Sequence, residues 1–385
     1  MPSKPRFKDT GKSSFWGSFV YDRIVPQDHF LVALEKMFDW SDMSRLLLQA
    51  YQGQGLRGRP PYDPVQMFKI LFVSYLYGAS ERQVEDLVNY HLLVKCFVGL
   101  AVDERAPDHS TLTVFKNRYL ETGQWEPLRS CFDQVIKRAV AHGVELGDLQ
   151  LLDSTHTQAD VNAEKEAQRR SQGEPPRDPD ASVVDKGQRE VVEPDGRRVT
   201  KRIRHSGYKA HVSTNAKTGV ITSFTVTTGN RADNKQFPAL HAHDQALGLP
   251  TRAYGGDRAY DDTELYERLA AHGQEIGIHL RSFRTQKKDA NKERWLELEA
   301  SPQYQQDRAQ RSRVEHAFGP AKQKHGFGRC RYVGLLRYRI QTFFTLLVSN
   351  SKRLIKVLTG ITFRPQAKGR RAERLQPVYA SLPWE

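Results

Sequence analysis

The sequence predicts an α/β protein, in which an all-helical N-terminal domain precedes a mixed β-sheet with helices on its faces. Three observations support this prediction. Apolar residues recur with a helical period through residues 28–145. From residue 147 onward, short strand-like runs alternate with helical segments, which is typical of a mixed α/β sheet. Within that part, residues 208–214 and 220–229 are rich in β-branched and aromatic side chains and are joined by NAKTG, which indicates a hairpin.

The composition narrows the class of partner. The chain has 385 residues, and its 59 Lys and Arg residues exceed its 45 Asp and Glu residues, for a formal net charge of +14. Such an excess indicates a polyanion, either a nucleic acid or an anionic membrane surface. No apolar run approaches the roughly 20 residues that cross a bilayer, so a membrane-spanning protein is not expected. The cysteines are too scattered for a disulfide framework or a zinc site, so we expect a reducing cytoplasm.

The N-terminal part is predicted to be a basic arm, over residues 1–27, followed by a helical domain over residues 28–146. Asp63 is a candidate N-cap, and Gly78 is a candidate C-terminal stop of the same helix. Ser80 is a second N-cap candidate and begins the next helix. This domain is interpreted as a DNA-end-binding or dimerisation unit.

The sheet is predicted to lie within residues 147–358. The first strand ends at Asp153, and a later strand ends at Asp257. Between them, residues 158–204 are polar and highly charged, so we expect a mobile loop or flexible insertion there. A basic tail over residues 359–385 completes the chain.

Three acidic residues are candidates for chemistry. Asp153 and Asp257 end strands, and Glu315 lies on a predicted helix. Carboxylates that meet in this way form an anionic cavity that suits Mg²⁺ or Mn²⁺. Arg311 and Lys322 share the helical stripe of Glu315 and place a cation on either side of it. Taken singly, each aspartate is more typical of a turn or cap residue. The helix that carries Glu315, taken alone, is likewise more typical of a salt-bridge ladder.

Together these features resemble the DDE transposases of bacterial insertion sequences, in the broad group of the IS4 and IS5 families and the IS5 type in particular. The matching stretches are LLDSTHTQAD, HSGYKAHVSTNAKTGVITSFTVTTGNRADN, YGGDRAYDD and the helix positions Arg311, Glu315 and Lys322. The helical domain resembles the family through GRPPYDPVQMFKILFVSYLYGASERQVEDL and APDHSTLTVFKNRYL. One position departs from the pattern, because some relatives carry a tyrosine where this chain has Arg308.

The resemblance implies an RNase H-like catalytic domain with Mg²⁺ or Mn²⁺ held by Asp153, Asp257 and Glu315. It implies hydrolysis at the element's ends, followed by attack of the freed 3′-OH on target DNA. The implied partners are double-stranded DNA, as terminal inverted repeats and as target, and a second copy of the chain on paired ends. The implied location is the bacterial cytoplasm, in association with the nucleoid.

Several cations are predicted to contact DNA. They are Arg311, Lys322, Lys209, Arg82, Lys116 and Arg118. Asp233 resembles the family's hairpin-end aspartate; it orders the turn or lies near the site, and we favour the turn. Two other functions stay open: a metal-dependent nuclease of the same fold that only hydrolyses, and a catalytically inactive DNA-binding relic.

Overall fold

The structure is a computed structural model that describes residues 7–8, 15–51, 60–121, 125–193, 196–286 and 289–364. The predicted basic tail lies outside the described residues from residue 365 onward, as does most of residues 1–14 of the predicted arm. The rest of that arm differs from the expectation, because it contains the helix α1 (Phe15–Ile24).

The helical domain follows this first helix. Its described helices are α2 (Phe30–Met37), α3 (Trp40–Leu47), α4 (Pro64–Tyr77), α5 (Glu81–Tyr90), α6 (Leu92–Val98), α7 (His109–Glu121) and α8 (Glu126–Ala141).

The helix boundaries follow from capping chemistry. The Asp63 side chain accepts a hydrogen bond from the Val65 N–H at 2.7 Å and begins α4. Gly78 ends the same helix at a φ of 67°, which is unfavourable for residues with a Cβ. Ser80 and Gln83 form a capping box at the start of α5. The predicted ends of these helices are confirmed.

In the described residues, six strands form one mixed sheet. They are β1 (Leu149–Gln158), β2 (Ser182–Val192), β3 (Arg198–Asn215), β4 (Ile221–Thr228), β5 (Ala253–Gly256) and β6 (Glu275–Ile278). The central order is β4-β3-β1-β5-β6, and β2 pairs with the N-terminal half of β3. Only β3 runs against its neighbours in that order, since β1, β5 and β6 pair in parallel and β3 is antiparallel to β1 and β4. This is the RNase H-like arrangement, so the predicted fold class is confirmed.

A long apolar helix joins the two parts of the molecule. The described helices of the sheet domain are α9 (Ala163–Ser171), α10 (Phe237–Ala246), α11 (Thr263–Ala271), α12 (Lys292–Ala300), α13 (Pro302–Ala309), α14 (Ser312–His325) and α15 (Leu335–Thr359). Phe343 of α15 is fully buried, and its ring lies 6.0 Å from Phe68 of α4 and 5.9 Å from Trp125. The same helix packs on β4, so helical domain and sheet share one core. None of the helices in the described residues combines the length and apolar character needed to span a membrane.

Two expectations need correction. The first strand was expected to end at Asp153, but β1 continues to Gln158 because β3 keeps pairing with it as far as Gly207. Residues 158–204 were expected to be a loop, but they contain α9, β2 and the beginning of β3. The strand signal there is a set of valines placed among charged residues, and the charge obscures it.

Candidate active site

The parallel pairing of β1 with β5 places two of the predicted catalytic residues side by side. Leu151 of β1 pairs with Gly255 of β5. Asp153 and Asp257 each lie two residues beyond this last pair, and the charge of Asp257 acts on Asp153 strongly enough to raise its pKa. Neighbouring strands lie about 4.8 Å apart. The sheet therefore brings the two carboxylates together.

Two glycines before Asp257 allow this close approach. A Cβ on Gly255 would lie 2.8 Å from the Leu151 side chain, and one on Gly256 would lie 3.2 Å from the Tyr260 ring. After Gly256 the chain turns, because Asp257 caps a single 3₁₀ turn and its Oδ1 accepts the Ala259 N–H at 2.9 Å. The sequence Gly-Gly-Asp thus serves both to pack β5 against β1 and to fix the aspartate.

Asp153 is partly buried among other charges. Burial is the main reason why the pKa of its carboxyl is raised to about 6, and the nearby charges of Asp257 and Asp233 raise the pKa further. Arg311 acts in the opposite direction. A carboxylate held next to like charges in this way fits a divalent cation, which would balance the negative charge.

A buried hydroxyl also fits a bound ion. Tyr260 is only 1% exposed, and its Oη has no hydrogen-bond partner among the residues that the structure describes. Burial raises the pKa of Tyr260, and so do the charges of Asp233, Asp153 and Asp257, so the proton stays on the hydroxyl. An unpaired buried hydroxyl costs about 1–3 kcal/mol. Water molecules around a bound cation would supply the missing acceptor.

The helix α14 carries the third predicted catalytic residue. The backbone of Glu315 lies in α14, and its side chain lies outside what the structure describes. The preceding residue, Val314, is buried with Leu149 and Ala253 of the two central parallel strands. This contact anchors α14 across β1 and β5, the strands that carry the two aspartates.

An ion pair lies next to the carboxylate pair. Asp233 accepts a hydrogen bond from Lys209 Nζ at 2.9 Å, and His211 Nδ1 lies 3.2 Å from the same oxygen. Burial by itself would raise the pKa of Asp233, but His211 and Lys209 together lower it, so this aspartate is charged. The sequence left two roles open for Asp233, and the structure supports the less favoured one, because its charge acts on Asp153. Its two partners, at alternate positions of β3, were the available signal.

A positively charged cavity of about 850 Å³ adjoins the aspartates. Its lining includes Arg258, His279, Glu299, Gln305, Arg308 and Arg311. His279 follows β6 next to Asp257, because Gly256 pairs with Ile278. Burial lowers the pKa of His279, and so do the neighbouring arginines Arg308, Arg311 and Arg258. Arg308 and Arg311 thus place cationic groups where a phosphodiester next to the carboxylates would need them.

The other predicted DNA contacts lie in three different environments. Arg82 is exposed on α5, and Lys322 is exposed on α14. Lys209 and Lys116 are instead buried in ion pairs, the second with Glu81, and so present no open charge to a phosphate. Arg118 stacks on the Tyr51 ring, with its guanidinium carbon 3.9 Å from the ring centroid.

A second group of potential ligands lies in the helical domain. Among the side chains that the structure describes, Glu85, Asp108 and His109 bring three possible ligand atoms within 4.8 Å of one another. Glu85 already accepts hydrogen bonds from the backbone N–H of His109 at 2.9 Å and lies 2.9 Å from its Nδ1. Hydrogen bonding alone therefore explains this cluster.

Comparison with known proteins identifies the family. Residues 19–118 match the family described as Transposase domain (DUF772), and residues 148–351 match the Transposase DDE domain. The second match spans more than half of the chain. The protein therefore belongs to the DDE transposase family. Among solved structures, it matches the cryo-EM structure of a piggyBac transposase synaptic complex with hairpin DNA at 11% identity and a TM-score of 0.41, over 89% of this chain and 77% of that chain. That similarity is too low for a shared fold to be concluded from it.

The family defines the class of activity. The protein is a DNA transposase, an enzyme that breaks and joins phosphodiester bonds, and its cofactor is a divalent metal ion. The predicted family, function and enzyme class are confirmed. The assignment to the IS5 type stays a prediction.

Proposed function

We propose that this transposase hydrolyses a phosphodiester at each end of an insertion sequence and then joins the freed 3′-OH to target DNA. In this proposal Asp153, Asp257 and Glu315 hold Mg²⁺, or Mn²⁺ in its place. The observation that carries the proposal is the proximity of Asp153 in β1 to Asp257, which directly follows the parallel strand β5 and whose charge raises the pKa of Asp153. When bound, divalent ions would activate the nucleophile and stabilise the leaving oxygen.

The protein's own side chains supply position and charge. Arg311 and Arg308 would orient the phosphodiester against the carboxylates, because both line the adjoining cavity. In-line displacement at phosphorus depends mainly on such positioning and on stabilisation of charge. Water and a sugar hydroxyl are both small neutral nucleophiles, so one site can serve hydrolysis and joining in turn.

DNA contacts are proposed for two exposed cations and for Arg311, which is half-buried and lines the cavity. Arg82 on α5 and Lys322 on α14 would contact the backbone of the element ends, together with Arg311. The buried ion pairs of Lys209 and Lys116 support a structural role for those residues instead. We further propose that two copies act on paired ends, in the bacterial cytoplasm and close to the nucleoid.

A joining assay tests the two steps. Purified protein is incubated with Mg²⁺, a supercoiled plasmid and a labelled duplex that carries the flanking ends of its own gene. Label that enters the plasmid with the wild type, and not with Glu315→Gln, supports the proposal. Cleavage without joining would instead support the nuclease, and DNA binding without any reaction would support the inactive relic. Joining by Glu315→Gln at the wild-type rate would contradict the site.

A further inference from the structure

Two strands extend beyond the edge of the sheet. β3 pairs with β1 and β4 only from Gly207 onward, whereas it pairs with β2 from Arg198 to Gly207. Residues 183–192 and 198–206 therefore form a two-stranded projection, here called the β-ribbon. At about 3.3 Å for each residue, its β3 strand spans about 27 Å.

None of the described side chains of the β-ribbon is buried. Its described side chains from 187 to 192 are all exposed, including Val191 at 37% and Val192 at 64%. A two-stranded ribbon in water is marginally stable on its own. An extension of this length with exposed valines therefore indicates a surface that is covered when the protein works.

The charge of the β-ribbon indicates which partner covers it. Residues 183–205 contain seven Lys and Arg residues against four Asp and Glu residues. Arg198, Arg202 and Arg204 occupy alternate positions of β3 and so share one face, and all three are exposed. Opposite Arg198 and Arg202 on β2 lie Val192 and Gln188, which carry no charge. Glu190, opposite Thr200, and Asp185, opposite Arg204, share this face. Three arginines against two carboxylates leave a net positive stripe, with Arg204 at its base beside α9.

We propose that the β-ribbon lies in the major groove of the duplex at the element end and contacts it through Arg198 and Arg202. The major groove is wide enough to admit a two-stranded ribbon, and arginine recognises guanine and phosphate through paired N–H groups. A bulge between Asp185 and Gln188, where Gly187 has a φ of 88°, adds the twist that a ribbon needs to follow the groove. The proposal rests on the function proposed above and adds a recognition element to it.

The strand connection predicts where the contact falls. Asp153 pairs with Val212 of β3, and Arg202 lies ten residues before Val212 on the same strand. Ten strand residues span about 33 Å, which is close to one turn of B-form DNA. The β-ribbon would then contact DNA about ten base pairs from the cut.

A second protein chain fits the β-ribbon less well. The open edges of the β-ribbon could pair with the β-ribbon of another copy of the chain. Such pairing would bring like-charged arginine stripes together, which is unfavourable. DNA satisfies both the charge and the shape.

The test measures binding apart from chemistry. Affinity for the labelled end duplex is measured by fluorescence anisotropy over a range of KCl concentrations, without divalent metal. Arg198→Glu/Arg202→Glu is compared with Arg45→Glu/Lys356→Glu, which changes the same charge at two exposed cations on other elements. We expect the ribbon variant to lose about tenfold or more in affinity, and its salt dependence to fall by about two in slope. Footprinting should lose protection about ten base pairs from the cut.

The outcomes separate this proposal from the catalytic one. The β-ribbon proposal would be overturned by equal losses of DNA affinity in the two variants or by unchanged affinity of the ribbon variant. A wild-type protein that binds no duplex would overturn it as well. Loss of dimers in sedimentation, with DNA affinity unchanged, would assign the β-ribbon to a protein interface instead. Circular dichroism confirms that both variants are folded. Because no metal is present, a catalytic failure does not affect the result.

Discussion

At the scale of single residues, Asp153 carries a charge that is unfavourable without a partner. Burial and the adjacent Asp257 raise its pKa to about 6. The folded protein therefore holds this proton more tightly than the unfolded chain does. Stability is lost as the pH rises through the interval between about 4 and about 6, where the folded protein must accept the charge.

Replacing the carboxylate tests this directly. Without divalent metal, Asp153→Asn should be more stable than wild type by up to ~3 kcal/mol at pH 8, and about equally stable near pH 4. The free energy of unfolding is measured by urea titration in EDTA at both pH values, with the exposed Asp86→Asn as control. An asparagine variant that is less stable than wild type at pH 8 would refute the assigned cause.

Tyr260 offers a second test at this scale, since its hydroxyl is buried without a partner among the described residues. Tyr260→Phe should leave stability unchanged or slightly raised, because no hydrogen bond is lost. It should also reduce the rise in melting temperature that Mn²⁺ produces. Tyr304→Phe is the matched control: its buried Oη donates to the Ile278 carbonyl at 2.8 Å. That variant should lose about 1 kcal/mol but keep the Mn²⁺ effect. Equal Mn²⁺ effects in both variants would assign the Tyr260 hydroxyl to packing.

At the scale of elements, α15 is fixed to the sheet by a side-chain amide. Asn350 accepts a hydrogen bond from the Ile221 N–H at 2.9 Å and donates one to its carbonyl at 2.8 Å. These bonds satisfy the backbone of β4 at its first residue. The amide therefore aligns the long helix with the edge of the sheet.

Removing that amide leaves two buried backbone groups unpaired. Asn350→Ala should reduce the free energy of unfolding by about 2–4 kcal/mol. Thr345→Val on the same helix removes a buried hydroxyl that has no partner among the described residues, and should change stability by less than about 1 kcal/mol. The denaturation midpoints of the two variants are measured and compared with that of the wild type. Similar losses would mean that the pairing with Ile221 contributes little.

The elements also show how far sequence reasoning extends. Capping signals at Asp63, Gly78 and Ser80 are local, so the helices that they delimit could be predicted. The β-ribbon could not, because its strands pair with each other and not with a hydrophobic layer, so its sequence lacks the usual alternation. The partnership of Asp153 with Asp257 depends on the pairing of two parallel strands, which no local pattern encodes. Its prediction came from the strand-end positions of the two aspartates together with the family resemblance.

At the scale of the whole molecule, the helical and sheet parts are not packed separately. One cluster of buried residues extends from Val25 in the helical domain to Ile355 in α15 and includes residues of β3 and β4. The long helix therefore fixes the helical domain against the strand that flanks Asp153. An end bound by the helical domain would be held at a fixed distance from the carboxylates.

The account depends on Asp153, Asp257 and Glu315 forming one metal site across β1, β5 and α14. Fe²⁺ placed in the Mg²⁺ site, with ascorbate and peroxide, generates radicals that cut the nearby backbone. Mass spectrometry of the fragments should show cuts close to all three residues. Excess Mg²⁺ or the Asp257→Asn substitution should suppress them. Cuts that cluster instead near Glu85 and His109, or that spare the neighbourhood of Glu315, would contradict the account.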